Sequence, residues 1–213
     1  MPHDDAPILT AGTPLAQATH ALVLTHGRGA TAEGMLDLAT VLLEEATGRW
    51  AVLAPQAEGG TWYPFSFLVP TFDNEPELSG ALACVGRVVA SARAAGLPDE
   101  RIVLGGFSQG ACLAQEWAVR HATRFGGLLG FSGGLIGPPG TRWDQHAGTL
   151  TGTPALLAVH DNDPHIPLVR VEETARVLSD KGAEVDARIY RGTAHTITPD
   201  AVRAAQALLA AVA

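Results

Sequence analysis

The pentapeptide Gly106-Phe107-Ser108-Gln109-Gly110 constrains this chain more than any other segment. It follows the apolar run Ile102-Val103-Leu104 and precedes the helix-forming run Ala111-Cys112-Leu113-Ala114-Gln115-Glu116-Trp117. Strand, turn, helix is the setting in which G-x-S-x-G forms a nucleophile elbow. Such a turn strains the backbone of its central residue and brings strand and helix so close that side chains two positions away would collide. Glycine at 106 and 110 removes those side chains. Ser108 is therefore expected to stand above the carboxyl edge of a sheet, at the start of a helix whose amides favour negative charge.

The rest of the chain repeats the strand-then-helix rhythm. Candidate strands are Ala21-Thr25, Ala51-Ala54, Ile102-Gly105, Gly127-Phe131, Ala155-His160 and Val185-Tyr190. Between them, apolar residues recur at helical spacing. One face carries Met35, Leu38, Ala39, Leu42 and Ala46, another Leu78, Ala81, Leu82, Val85, Val88 and Ala92. Val171, Thr174, Ala175 and Leu178 repeat the pattern, as do Val202, Ala205 and Leu209. Near-continuous apolar strands alternating with helices imply an α/β fold with a mostly parallel sheet covered on both faces. Without repeats, low-complexity tracts or an evident linker, residues 1–213 read as one domain, with 1–18 as an extension able to add an edge strand.

Two connections are long for a compact domain, and long connections tend to carry function. Residues 56–76 hold Trp62, Tyr63, Phe65, Phe67 and Phe72, five of the chain's 4 Trp, 2 Tyr and 6 Phe. Residues 133–154 are rich in glycine and proline. Both would leave the carboxyl edge of the sheet, where open α/β sheets bind ligands. The second is too short to insert the helices of a large lid, so a minimal or absent cap is expected, with an open, shallow site.

Composition narrows the partners. With 213 residues, 46% hydrophobic, the chain can bury a sizeable core; a net charge of -8 argues against nucleic acid. No stretch approaches the roughly 18 apolar residues of a membrane span, so stable membrane insertion is not expected. Met1-Pro2-His3-Asp4-Asp5 carries acid where a signal peptide carries basic residues, which points to cytoplasmic residence. Cys84 and Cys112 are read as small buried hydrophobes rather than a disulfide framework.

A serine hydroxyl needs a base within reach and an acid to orient that base, in the chain order serine, acid, histidine on this kind of sheet. The strand Ala155-His160 is followed by Asp161-Asn162-Asp163-Pro164-His165-Ile166-Pro167. Spacing alone does not choose between the two aspartates. Asp163 is preferred because Pro164 holds it in a tight turn, while Asp161 more simply ends the strand or caps the turn. His195, in Arg191-Gly192-Thr193-Ala194-His195 after the last strand, is the candidate base. Two main-chain N–H groups should receive a developing oxyanion: that of Gln109, after the serine, and that of Arg28, in Thr25-His26-Gly27-Arg28-Gly29. The Arg28 guanidinium is expected to pair with a surface acid.

These segments together resemble the phospholipase/carboxylesterase family of small α/β-hydrolases, which includes bacterial carboxylesterases and acyl-protein thioesterases. The resemblance runs from about Leu22 to the C-terminus, and G-F-S-Q-G is its most specific part. It implies Ser108 as nucleophile, Asp163 as acid, His195 as base, the Arg28 and Gln109 amides as oxyanion hole, and neither metal nor organic cofactor. The chain departs from the family in His160-Asp161, where His-Gly is common, and in Arg28, where many members are apolar.

A small carboxylic ester is the expected substrate, with Trp62, Tyr63 and Phe65 as pocket wall, and with Phe67 and Phe72 packing the loop onto the body. A thioesterase or lysophospholipase of the same fold is the alternative, and a non-catalytic ligand-binding homologue a remoter one. An apolar groove beside the site could be covered by a second subunit, so a homodimer stays open. His160 and His165 flank two aspartates, but the acid turn already accounts for that group and no distant ligand pair completes a metal site.

Overall fold

In the computed structural model, which describes residues 1–212, the chain forms a seven-stranded sheet of order β1-β3-β2-β4-β5-β6-β7. The strands are β1 (Ile8–Gly12), β2 (His20–Thr25), β3 (Trp50–Pro55), β4 (Ile102–Phe107), β5 (Gly127–Phe131), β6 (Pro154–His160) and β7 (Glu184–Tyr190). β1 runs antiparallel to β3, and every other pairing is parallel. The helices are α1 (Ala32–Leu42), α2 (Glu77–Ala94), α3 (Gln109–Arg120), α4 (Leu168–Asp180) and α5 (Pro199–Ala210). This is an α/β-hydrolase sheet, mostly parallel and covered by helices on both faces.

Pleat alternation sorts the strand residues between two cores. Ala21, Val23, Ile102 and Leu104 join the cluster under α2, α3 and α4. Leu22, Leu24, Val103 and Phe131 join the one under α1 and α5. Each fully buried Leu or Phe there contributes about 1.5–3 kcal/mol, so both faces are needed to hold the strands flat against helices. The edges are different: β1 and β7 alternate between exposed and half-buried positions. Glu184, Asp186 and Arg188 on β7 make that edge unattractive for pairing with another chain. Local signals start the helices. Thr31 caps α1 by accepting from the Gly34 N–H, and Thr198 caps α5 from Ala201, with Pro199 as its first residue.

The strand order has one reversal that matters. The chain leaves β2 for β3 on one side, then crosses to β4 on the other. The carboxyl ends of β2 and β4 thus flank the topological switch point, where connections diverge and leave a crevice. Thr25 ends β2 and Phe107 ends β4, so Gly27, Arg28, Ser108 and Gln109 all issue into that crevice. No helix among the described residues is long and apolar enough to cross a membrane.

The elbow is packed as its glycines require. A methyl group at Gly106 would lie 2.5 Å from the Thr25 carbonyl oxygen, and one at Gly110 only 2.0 Å from the same atom. Gly110→Ala is therefore expected to destabilise the protein by about 3 kcal/mol or more, the upper end for overpacking against backbone. Gly34→Ala, where the added methyl would meet only the Thr31 hydroxyl oxygen at an ordinary contact of 3.9 Å, should instead stabilise it by about 0.5–1 kcal/mol. Urea unfolding of the two variants followed by circular dichroism measures both.

Candidate active site

Ser108 takes φ 56° and ψ −121°, a backbone conformation that L residues rarely adopt. It is held there from three sides. Its N–H donates to the Phe131 carbonyl at 2.9 Å, and its own carbonyl accepts from Cys112 at 3.0 Å in the first turn of α3. The Thr25 hydroxyl lies 3.1 Å from the Gly105 oxygen and 2.8 Å from that of Gly110, bracing both arms of the elbow from β2.

Three side chains from distant loops converge on this point. His195 Nε2 is 2.8 Å from Ser108 Oγ, and its Nδ1 is 2.7 Å from Asp163 Oδ2. Asp163 is buried, and its other oxygen accepts main-chain N–H groups from His165 at 2.8 Å and Ile166 at 3.1 Å. Burial alone would raise this carboxyl group, but the hydrogen bonds from His195, His165 and Ile166 outweigh it and hold Asp163 below the usual carboxylate range. An ionised Asp163 fixes Nδ1 as a donor, which leaves Nε2 free to accept the serine proton. Phe107 and His165 flank the His195 ring at centroid distances of 4.9 and 4.8 Å.

Asp161 does a different job. Its Oδ1 accepts from the Gly192 N–H at 2.9 Å and from Asn162 at 2.8 Å, so it ties the loop that carries His195 to the end of β6.

The main-chain N–H groups of Arg28 and Gln109 have no partner among the described residues. Both residues border the same cavity as Ser108 and His195. Gly27 permits this, because it sits against Phe107 and Ser108 where a methyl group would come within 3.2–3.3 Å of their side chains. The cavity is open, about 630 Å³, with Tyr63, Phe65, Phe67, Cys112 and Ile166 as its apolar lining. A second cavity of about 580 Å³ lies at the other end of the sheet, beside Arg124, Pro154 and Leu208, and no serine, cysteine or histidine lines it.

The aromatic loop departs from the sequence expectation in three places. Trp62 does not border the cavity. It is fully buried beneath the loop, between the rings of His3 and His26 at 5.5 and 5.1 Å, and its indole N–H donates to the His26 carbonyl at 2.9 Å. Left unpaired in that place the N–H would cost about 1–3 kcal/mol, so the bond is what admits Trp62 to the core. Phe72 does not pack against the body; it is 74% exposed. The Arg28 guanidinium pairs with no acid among the described residues; it donates instead to the carbonyls of Tyr63, Pro64 and Phe65. Tyr63 and Phe65 do border the cavity, Tyr63 as buried floor and Phe65 as exposed rim. Phe67 is packed, as expected, yet one side of it also faces the cavity.

Cys112, Ile166 and His165 were not singled out in the sequence as lining residues. Cys112 lies four positions after Ser108, one helical turn on, and that spacing would have found it. Burial pushes its thiol up to about 12, so it stays protonated and does not compete as nucleophile. His26 is buried too. Its Nδ1 faces the Gly27 carbonyl at 2.8 Å and its Nε2 accepts the Ala57 N–H at 3.0 Å, and burial lowers its affinity for a proton.

A model described as phospholipase/carboxylesterase matches residues 10–213. The crystal structure of a phospholipase/carboxylesterase from Dyadobacter fermentans superposes with a TM-score of 0.90 at 40% identity, over 96% of each chain. That of esterase PE8 superposes with 0.79 at 25% identity, over 98% of each. Acyl-protein thioesterase 1 of Eremothecium gossypii is 28% identical over 91% of this chain and 88% of its own. The protein of the same name from Saccharomyces cerevisiae is 26% identical over 90% and 92%.

Two expectations follow. His26 resists protonation in the fold while the unfolded chain does not, so stability should fall as pH drops through the ordinary histidine value of about 6.5. Asp163, held low, adds stability above the ordinary aspartate value of about 3.9, lost only as pH falls through its lower folded value. Urea unfolding at a series of pH values should show both losses, the first flattened in His26→Asn. Separately, Trp62→Ala should cost about 3–5 kcal/mol, as for a core aromatic, read as a drop in melting temperature with the ratio of short-chain to aryl ester turnover little changed.

Proposed function

This chain belongs to the phospholipase/carboxylesterase family of hydrolases, and on that footing we propose that it cleaves small carboxylic esters through an acyl-enzyme on Ser108. The observation that carries the reading is the unbroken relay Asp163–His195–Ser108, with links of 2.7 and 2.8 Å, ending in an open cavity beside two unpaired main-chain N–H groups. Ser108 Oγ attacks the ester carbonyl carbon while its proton passes to His195 Nε2. The carbonyl oxygen becomes negative and is received by the N–H groups of Arg28 and Gln109; one such donor is worth about 10²–10³ in turnover.

Collapse of that intermediate breaks the bond to the alcohol, which leaves with the proton held by His195. Water then attacks the acyl group, giving a proton to the same imidazole, and release of the acid restores the Ser108 hydroxyl. Asp163 stays ionised throughout and supports the imidazolium that forms twice per turnover.

The cavity favours modest substrates. Tyr63, Phe67 and Ile166 form its apolar side, and it opens to solvent past Phe65. That suits short acyl chains or small aryl groups. A second reading, acyl thioester cleavage, is favoured by the relatives named acyl-protein thioesterase 1; the same relay serves it, because a thiolate leaves more readily than an alkoxide.

Ser108→Ala is expected to lose p-nitrophenyl acetate turnover by a factor of about 10⁴ or more. A Ser108→Ala protein that keeps its turnover contradicts the proposal. The ratio of ester to thioester turnover at matched acyl length decides between the two readings.

A further inference from the structure

One oxygen atom joins the two halves of the proposed oxyanion hole. The carbonyl oxygen of Tyr63 accepts from Arg28 Nη2 at 2.9 Å and from Gln109 Nε2 at 2.8 Å. These are the side chains of the two residues whose main-chain N–H groups would receive the oxyanion. Arg28 also reaches the oxygens of Pro64 at 3.0 Å and Phe65 at 2.9 Å. Gln109 Oε1 accepts from the Trp62 N–H at 3.0 Å and lies 3.2 Å from the Thr61 hydroxyl. Residues 61–65, of which Tyr63, Pro64 and Phe65 line the cavity, are thereby fastened to the pair that borders the nucleophile.

The need for such a fastening is unequal. The Gln109 N–H is the first of α3 and is set by the helix and the elbow. The Arg28 N–H lies in a loop between Gly27 and Gly29, and Gly29 takes φ 72°. A peptide flanked by glycines on both sides rotates easily, and a donor that rotates is displaced from the oxygen it must meet. Three carbonyls converging on one point also repel one another unless a donor sits between them. Arginine meets both needs, since its planar fork serves several acceptors at fixed angles where an ammonium is a single point of charge. Its exposure on the solvent side keeps the energetic gain small, so its effect is one of placement.

We propose that Arg28 is a positioning residue: by binding the carbonyl oxygen that also binds Gln109, its guanidinium sets the distance between the two oxyanion-hole amides and fixes that hole against the wall of the cavity. This rests on the serine-hydrolase reading above and adds to it a role for a side chain that does not react. The guanidinium takes no part in bond making. It acts through the orientation of its own main-chain N–H, which an alanine at this position keeps.

Arg28→Ala and Gln109→Ala should each lower kcat for p-nitrophenyl acetate about 10- to 100-fold, because misplacement near 1 Å costs on this scale. KM should stay within about threefold, since the lost interaction belongs to the transition state. The double variant should be less impaired than the product of the two single effects, because each removes one side of the same brace. Phosphonylation of Ser108 by a fluorophosphonate should slow in parallel, and guanidinium ion added to Arg28→Ala should restore part of the rate. Arg28→Lys gives the same readout, to a smaller degree, if the alanine protein does not fold.

Arg28→Ala with kcat within about twofold of wild type, or with KM raised and kcat unchanged, overturns the positioning role while labelled, active wild type leaves the hydrolase reading intact. Wild type that neither labels at Ser108 nor turns over the ester overturns both.

Discussion

Everything in this site hangs on how closely β4 and α3 cross the end of β2. The Thr25 carbonyl occupies the space where side chains at 106 and 110 would stand, and the Thr25 hydroxyl bridges to the carbonyls on either side of the bend. Ser108 cannot relax out of its positive-φ conformation without breaking that contact and its bond to Phe131. Strain of about 1–3 kcal/mol at one residue is thus borne by the packing of the whole sheet. The return is directional: the hydroxyl is presented to His195 Nε2, and Gln109, the next residue, borders the same cavity. A sheet without the reversal between β2 and β4 would have no crevice there for them to face.

Around that bend, the loops are held by groups that are neutral or hydrogen-bonded rather than by ion pairs. Asp161 and Asp163 each take main-chain N–H donors, one holding the histidine loop and the other the acid turn. The aromatic loop is anchored from below as well as above. His3 Nδ1 accepts the Glu58 N–H at 3.1 Å and His26 Nε2 that of Ala57, while Arg28 and Gln109 hold residues 61–65. Two imidazoles and a buried indole therefore form the floor on which the cavity wall rests. Such anchoring keeps the wall in place without a cap, which agrees with the shortness of the 133–154 connection.

Much of this was legible in the residues themselves. Glycine at 106 and 110, the apolar run before them and the helical run after them located the bend, because a close crossing leaves no other option at those positions. The order Ser108, Asp163, His195 predicted which loops meet, and the structure brings those three side chains within hydrogen-bonding distance. The strand cores were readable to within a residue or two since both faces of the sheet are buried. What could not be read depends on contacts far apart in the chain. β1 has three of its five residues exposed; residues 1–18 read as able to add an edge strand, but nothing in them is periodic enough to mark 8–12 as its place. Trp62 looked like pocket wall because an aromatic in a long loop usually is. Its burial is decided by His26, 36 residues earlier, offering a carbonyl to the indole N–H. Arg28 looked like one half of a surface pair, since nothing local reveals that three carbonyls of residues 63–65 will turn toward it.

The central claim is that Ser108 carries the acyl group during turnover. Acid quenching of the protein within milliseconds of mixing with an aryl ester, followed by digestion and mass spectrometry of the peptide spanning residues 102–120, tests it most directly. The account predicts an acyl group on Ser108 that decays at the rate of the second, water-dependent step. Steady ester turnover with no adduct on that peptide, or with the acyl group on another residue, would contradict it.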